Sequence, residues 1–335
     1  MATIADVARE ANVSVATVSR VLNHHNSVRA ETRERVYKAI EKLSFEPNMS
    51  ARNLRRNETR VILIVTPNIT NPYYSNILTG IGDSAQECGY SALIYNTGGD
   101  EAREKTGMDM LKKRRADGAI LLASNIDSIW IKEYADNYPV VLCSEYPLGL
   151  DVPRVSIDNY KAALDVMDYI LSLGHKRIAT ISSSNNYIST ALRLKAYKES
   201  LEHHGIKVCE DYIAFADSNY SFKSGKEAAF KLLKQKSRPT AIFCISDTIA
   251  LGAITAAKEL GIRVPEELSV IGFDDVDDTT MFHPYITTVA QPCYELGRES
   301  FRILYKCMNN GDKTIGATVL PHKFIIRESS AAVSF

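Results

Sequence analysis

The chain has 335 residues, 45% of them hydrophobic, and balances 40 Lys+Arg against 40 Asp+Glu. That length supports a sizeable core and more than one domain. No run approaches the roughly 18 apolar residues of a membrane helix, and the opening MATIADVARE has no apolar signal core. The six cysteines are scattered, most of them inside apolar stretches, which argues against a disulfide framework or a zinc site. A cytoplasmic protein with reduced thiols and no membrane association is expected.

The charge is unevenly placed. Residues 1–60 hold 11 basic and 7 acidic side chains, and the remainder holds 29 and 33. A basic head on an acidic body predicts that a polyanionic partner meets the head.

Residues 3–43 read as three short helices. The first spans Ile4 to Ala11, with Thr3 as its N-cap and Ile4, Val7, Ala8 and Ala11 at helical spacing. The second spans Val15 to Asn23, capped by Ser14. The third spans Ala30 to Leu43, with Val36, Ile40 and Leu43 on one face, and Pro47 stops the pattern. The first two, joined through Asn12-Val13-Ser14, make a helix-turn-helix pattern. A helix that lies deep in the major groove needs small residues at its front. Val15 and Ala16 are small and can touch thymine methyls, and Arg20, one turn on, can bond guanine O6 and N7. Ser14, Thr17 and Ser19 can reach phosphates or remain in local caps. Val18 and Leu22 are expected to face the other helices. Residues 47–60, PNMSARNLRRNETR, carry four arginines and one glutamate, and the helical part is too short to be stable alone in water.

From Val61 the period changes. Apolar runs (VILIVTP, SALIYNT, GAILLAS, PVVLCSE, RIATISS, IAFADS, AIFCISD, LSVIGFDD) alternate with helical patterns. Such strands predict parallel sheets covered on both faces. Eight or more units favour two doubly wound lobes, with the ligand site in the cleft at the strand C-termini. No P-loop, no G-x-S-x-G elbow and no metal-ligand spacing among the seven histidines is present. No enzyme, cofactor or metal is therefore expected.

TIADVAREANVSVATVSRVLN and VRAETRERVYKAIEKLSFEPNMSARNL resemble the head of the lactose/galactose repressor (LacI/GalR) family. NPYYSNILTGI, VSIDN, LGHKRIATI, PTAIFCISDTIALGAI, VPEELSVIGFDD and TTVAQP extend the likeness over the whole length. Val15-Ala16 resembles the galactose-repressor type of recognition helix, and the body is most similar to cytidine-repressor-like members.

The resemblance implies a fold with an all-α head, a hinge helix and a body of two doubly wound lobes like a periplasmic binding protein. The implied domains are a helix-turn-helix domain at 1–46, a hinge helix and linker at 47–60, and an effector-binding and dimerisation domain at 61–335. One lobe would comprise about 61–160 and 291–320, and the other 161–290 and 321–335. The implied function is a homodimeric repressor of a pseudopalindromic operator in double-stranded DNA, controlled by a small sugar, sugar derivative or nucleoside. A solute-binding protein without a regulatory role is the alternative.

The implied DNA-binding residues are Thr3, Ser14, Val15, Ala16, Thr17, Ser19, Arg20 and Asn23 in the head, and Ser50, Ala51, Arg52, Leu54 and Arg55 in the hinge. Leu54 matches the leucine that the family inserts between central base pairs. The implied effector residues stand at strand ends: Tyr73, Tyr74, Ser124, Ser189, Arg193, Tyr220, Ser246, Asp247 and Asp274. Tyr187 stands where purine-type members carry arginine, and Ser246 where the lactose repressor has asparagine, so neither effector can be copied across.

Overall fold

A computed structural model describes residues 2–22, 28–45, 58–124, 126–311 and 316–333. It divides into two compact units, Met1–Thr59 and Arg60–Phe335.

The described part of the first unit holds three helices, α1 (Ile4–Glu10), α2 (Val15–Leu22) and α3 (Ala30–Lys42). Thr3 and Asp6 cap α1 reciprocally: the Asp6 N–H donates to Thr3 Oγ1 (3.3 Å) and the Thr3 N–H to Asp6 Oδ2 (2.9 Å). Asn12, at φ 51°, turns the chain in the left-handed region, which Asn tolerates better than most residues. Ser14 Oγ then accepts the Thr17 N–H (3.1 Å) at the start of α2. Val7, Ala8, Val18, Val21, Val36, Ala39 and Phe45 form the core. Val18 is buried as expected, but its full partner is Val21, one helical step of three away, and Leu22 is only half-buried. On α3 the buried residues are Val36 and Ala39, whereas Ile40 and Leu43 are half-buried. Lys42 Nζ reaches Glu10 Oε1 at 2.7 Å and ties α3 to α1.

In the second unit β1 (Val61–Thr66), β2 (Ser91–Asn96), β3 (Gly118–Leu121), β4 (Val140–Cys143), β5 (Arg154–Ile157) and β11 (Ala317–Leu320) form a six-stranded parallel sheet. The order is β11-β5-β4-β3-β1-β2. The strands β6 (Ile178–Ser183), β7 (Ile213–Ala216), β8 (Ala241–Cys244) and β9 (Ser269–Ile271) form a second parallel sheet, ordered β7-β6-β8-β9. Two further strands, β10 (Thr288–Ala290) and β12 (Lys323–Ile325), pair antiparallel, with Val289 opposite Phe324. The expected fold of two doubly wound lobes is present. Strands β5, β10 and β11 were not expected, because each is three or four residues long and lacks a continuous apolar run.

Alternation along single strands explains the layers. In β1, Ile62 and Ile64 join Ile77 and Ile81 of α4 (Pro72–Glu87), while Leu63 and Val65 join Met108 and Leu111 of α5 (Glu101–Lys112). In β8, Ala241 and Phe243 face the helices α7 (Asn159–Ser172) and α8 (Ile188–His203), through Val166, Met167, Ala196 and Tyr197. Ile242 and Cys244 face α9 (Phe222–Leu233) and α10 (Asp247–Glu259), through Ala228, Ala229, Ala253 and Ala256. Each fully buried Ile or Leu contributes about 1.5–3 kcal/mol.

The remaining helices are α6 (Ser128–Asn137) and α11 (Cys293–Asn310). Helices α4 and α11 cross where a Cβ on Gly80 would stand 2.1 Å from the Tyr294 carbonyl oxygen and one on Gly297 would stand 2.2 Å from that of Ile77. Only glycine permits that approach. One expectation fails at the first sheet's edge. Strand β2 is not covered: Ser91, Ala92, Leu93 and Ile94 are exposed. Among the described residues no helix is long and apolar enough to cross a membrane.

Candidate DNA interface and candidate effector site

Helix α2 presents Val15, Ala16 and Arg20 to solvent, with Thr17 and Ser19 half-buried. Ser14 and Thr17 join their hydroxyls at 2.9 Å, so both serve the helix start. Thr3 is likewise engaged in the α1 cap. The exposed front is therefore two small apolar residues followed by one guanidinium. Asn23, Ser50, Ala51, Arg52, Leu54, Arg55 and the expected hinge helix lie outside the described residues.

In the second unit, residues just beyond the C-terminal ends of β1, β4, β6, β7 and β9 come together. Tyr73 and Tyr74 begin α4 and meet edge-on, with ring centroids 5.3 Å apart. Tyr73 Oη lies 2.7 Å from Ser144 Oγ. Burial raises the Tyr74 phenol well above its usual pKa, and Tyr187, Tyr220 and the Glu145 carboxylate push it further. Tyr220, at φ 56°, shares a 3.0 Å hydrogen bond with Thr190 Oγ1, and burial pushes its phenol up to about 12.

Ser189, in the first turn of α8, donates its N–H (3.1 Å) and its hydroxyl (2.5 Å) to the two oxygens of Glu145, just after β4. Burial raises the Glu145 carboxyl, opposed by the Ser189 bonds and by Arg193. Arg193, one turn further along α8, is 6% exposed and lies 3.5 Å above the Phe273 ring centroid. Its Nε and Nη2 donate to Asn159 Oδ1 (3.0 and 2.7 Å), and its Nη1 donates to the Ile245 carbonyl (2.6 Å).

Asp274 follows β9 at φ 121°, a conformation costing about 1–3 kcal/mol in a residue other than glycine. Gln291 Nε2 donates to its Oδ1 at 2.7 Å. Burial raises this carboxyl well above the usual range, Arg193 opposes that shift, and Asp247 adds to it.

The structure thus brings Tyr73, Tyr74, Ser189, Arg193, Tyr220 and Asp274 into one group. Asp247 has a different place. It is fully buried, its Oδ1 accepts from the Thr288 hydroxyl (2.6 Å) and its Oδ2 from the Val276 N–H (3.0 Å). It braces the loop that carries Asp274, and burial raises its carboxyl to about 6. Ser246 Oγ caps α10 by accepting the Ile249 N–H (3.3 Å). Ser124 Oγ accepts the Ile126 N–H (3.2 Å) in the turn after β3.

Glu145, Asn159, Phe273 and Gln291 belong to the group but were not singled out in the sequence. Glu145 had a signal: a carboxylate at the C-terminal end of an apolar parallel strand. Among the described residues no His, Cys, Asp or Glu cluster could hold a metal ion.

Comparison with known proteins agrees with both units. Residues 3–48 match the bacterial regulatory proteins of the lacI family, and residues 167–330 match a periplasmic binding protein-like domain. The chain is 40% identical to the HTH-type transcriptional repressor CytR of Escherichia coli (strain K12), over 99% of this chain and 97% of that one. It is 36% identical to catabolite control protein A of Priestia megaterium, over 98% and 99% of the two chains. The crystal structure of the Lac repressor dimer bound to operator and the anti-inducer ONPF superposes with a TM-score of 0.88, at 27% identity and 99% coverage of both chains. This chain is therefore a member of the LacI family of DNA-binding transcriptional repressors, with a helix-turn-helix head and a periplasmic-binding-protein-like body.

Proposed function

We propose that this repressor binds a pseudopalindromic operator as a homodimer, under control of a small sugar, sugar derivative or nucleoside held between the two lobes. The observation that carries the reading is the buried group of Arg193, Asp274 and the tyrosines. Two charged side chains at strand ends, walled by aromatic rings, need a polar ligand to justify their burial. A guanidinium and a carboxylate suit vicinal hydroxyls, and an aromatic wall suits a sugar or base face. Helix α2 would enter the major groove, with Val15 and Ala16 against thymine methyls and Arg20 on guanine. A DNA partner supports a cytoplasmic location. The domain division proposed is 1–46 for DNA, 47–60 for the hinge and 61–335 for effector and dimer.

The exposed edge strand β2 supports the homodimer. Leu93 is 39% and Ile94 47% exposed, and an uncovered apolar edge calls for a partner. The Lac repressor dimer solved with operator and anti-inducer is the precedent. Effector binding then shifts the population between two lobe arrangements, one of which holds the paired heads at operator spacing. A solute-binding protein without a regulatory role is disfavoured by the lacI-type head.

The test is purified protein with a metabolite panel in thermal-shift assays, followed by gel shifts on palindromic and scrambled DNA. A stabilising metabolite that changes binding to the palindrome alone supports the proposal. Equal binding to both DNAs, whatever the metabolite, refutes it.

A further inference from the structure

The effector group carries unbalanced charge. Glu145, Asp247 and Asp274 are buried carboxylates, and Arg193 is the buried guanidinium among them. Arg193 spends no hydrogen bond on any of the three; its donors go to Asn159 and the Ile245 carbonyl. The adjoining Asp275 is matched by Arg327 at 2.6 Å and brings no relief. Asp247 is satisfied from within, by Thr288 and Val276. Asp274 is not: among the described residues only Gln291 donates to it, at Oδ1, which leaves Oδ2 as an open acceptor. The Glu145 oxygens accept from the Ser189 N–H and hydroxyl and from the Ile188 N–H, which leaves acceptor capacity for a further donor.

Resting on the effector reading above, we infer that this site selects an uncharged or cationic ligand rich in N–H and O–H donors and rejects its phosphorylated or carboxylated counterpart, with Glu145 and Asp274 as the residues that discriminate. An incoming anion meets like charges in a buried site that screens them weakly. A donor group instead turns the open acceptors into charge-assisted hydrogen bonds, the stronger kind. Burial works against the charged forms of Glu145 and Asp274; a donating ligand favours those forms, whereas an anion opposes them further.

The experiment is calorimetry on the full-length protein with matched pairs that differ by one phosphate: ribose and ribose 5-phosphate, glucose and glucose 6-phosphate, and adenosine, cytidine and uridine with their 5′-monophosphates. An unphosphorylated member should bind, and its phosphate should bind roughly 100-fold more weakly or not at all. In Glu145→Gln or Asp274→Asn, which remove charge but keep shape, that ratio should shrink about tenfold. A phosphorylated member that binds as tightly as its parent compound overturns the inference and leaves the effector reading standing. An unchanged ratio in both variants overturns the assignment to Glu145 and Asp274. If no member of any pair binds, the effector reading itself fails and this inference with it. The comparison within each pair on the unaltered protein does not depend on how the variants fold.

Discussion

Ser189 holds Glu145 through both its backbone N–H and its hydroxyl, at 3.1 and 2.5 Å, and so joins the first turn of α8 in one lobe to the end of β4 in the other. The bond is buried, and the neighbouring Ile188 N–H also donates to the carboxylate. Ser189→Ala keeps the N–H and removes the hydroxyl. It should lower stability by about 1–3 kcal/mol, the cost of depriving a buried charged group of one donor. Denaturant unfolding checks this, and a change below about 0.5 kcal/mol would mean that water replaces the hydroxyl freely.

Arg193 is the cation facing Glu145 and Asp274, and it opposes the rise that burial imposes on each of those carboxyls. Arg193→Met, similar in length but uncharged, should cost about 3 kcal/mol because it strands buried negative charge. Arg193→Met combined with Asp274→Asn should recover much of that loss. Additive losses in the double variant would show that Arg193 stabilises through its bonds to Asn159 and Ile245 and its packing on Phe273, not through the charge of Asp274.

Arg20 supplies the long hydrogen-bonding side chain on the exposed front of α2. Arg20→Ala should weaken binding to the best operator by about 1–3 kcal/mol and relax preference at one G·C pair per half-site. Affinity for unrelated DNA should change far less. Equal losses on both would make Arg20 a phosphate contact.

His175 is buried. Its Nδ1 lies 2.9 Å from Thr240 Oγ1, and its Nε2 lies 3.0 Å from the Ala331 carbonyl and 3.2 Å from Ser269 Oγ. Burial lowers its pKa below the usual value of 6.5, against the Ala331 bond. The folded protein thus binds this proton less readily than the unfolded chain. Its stability contribution is present above the unfolded pKa and is lost as pH falls through the folded pKa. Asp247, raised to about 6, acts in the opposite sense, because its protonated form is favoured in the folded state. The His175 part is isolated by His175→Gln: the loss of denaturant midpoint between about pH 7.5 and 5.5 should be smaller in the variant than in the parent. An identical loss would mean that His175 does not titrate in that window.

Much of this molecule is local in origin. Thr3 and Ser14 as caps, the small front of α2 and the alternating runs of the body each follow from residues a few positions apart, and period and capping chemistry act over that range. The same holds for the positions of Arg193 and Asp274, since residues after apolar parallel strands gather at one end of a sheet. What only the tertiary structure decided depends on which strand ends meet. Glu145 and Ser189 are far apart in sequence, and nothing near either one announces the bond between the lobes. Asp247 stands at a strand-to-helix junction like a ligand residue, yet Val276, in the loop after β9, and Thr288, brought back by β10, claim its carboxylate. The run SALIYNT reads as a covered strand, but strand order places β2 at the sheet edge, where its apolar residues stay exposed. Hydrophobic period reports that a residue prefers burial; only the long-range packing of strands and helices determines what, if anything, covers it.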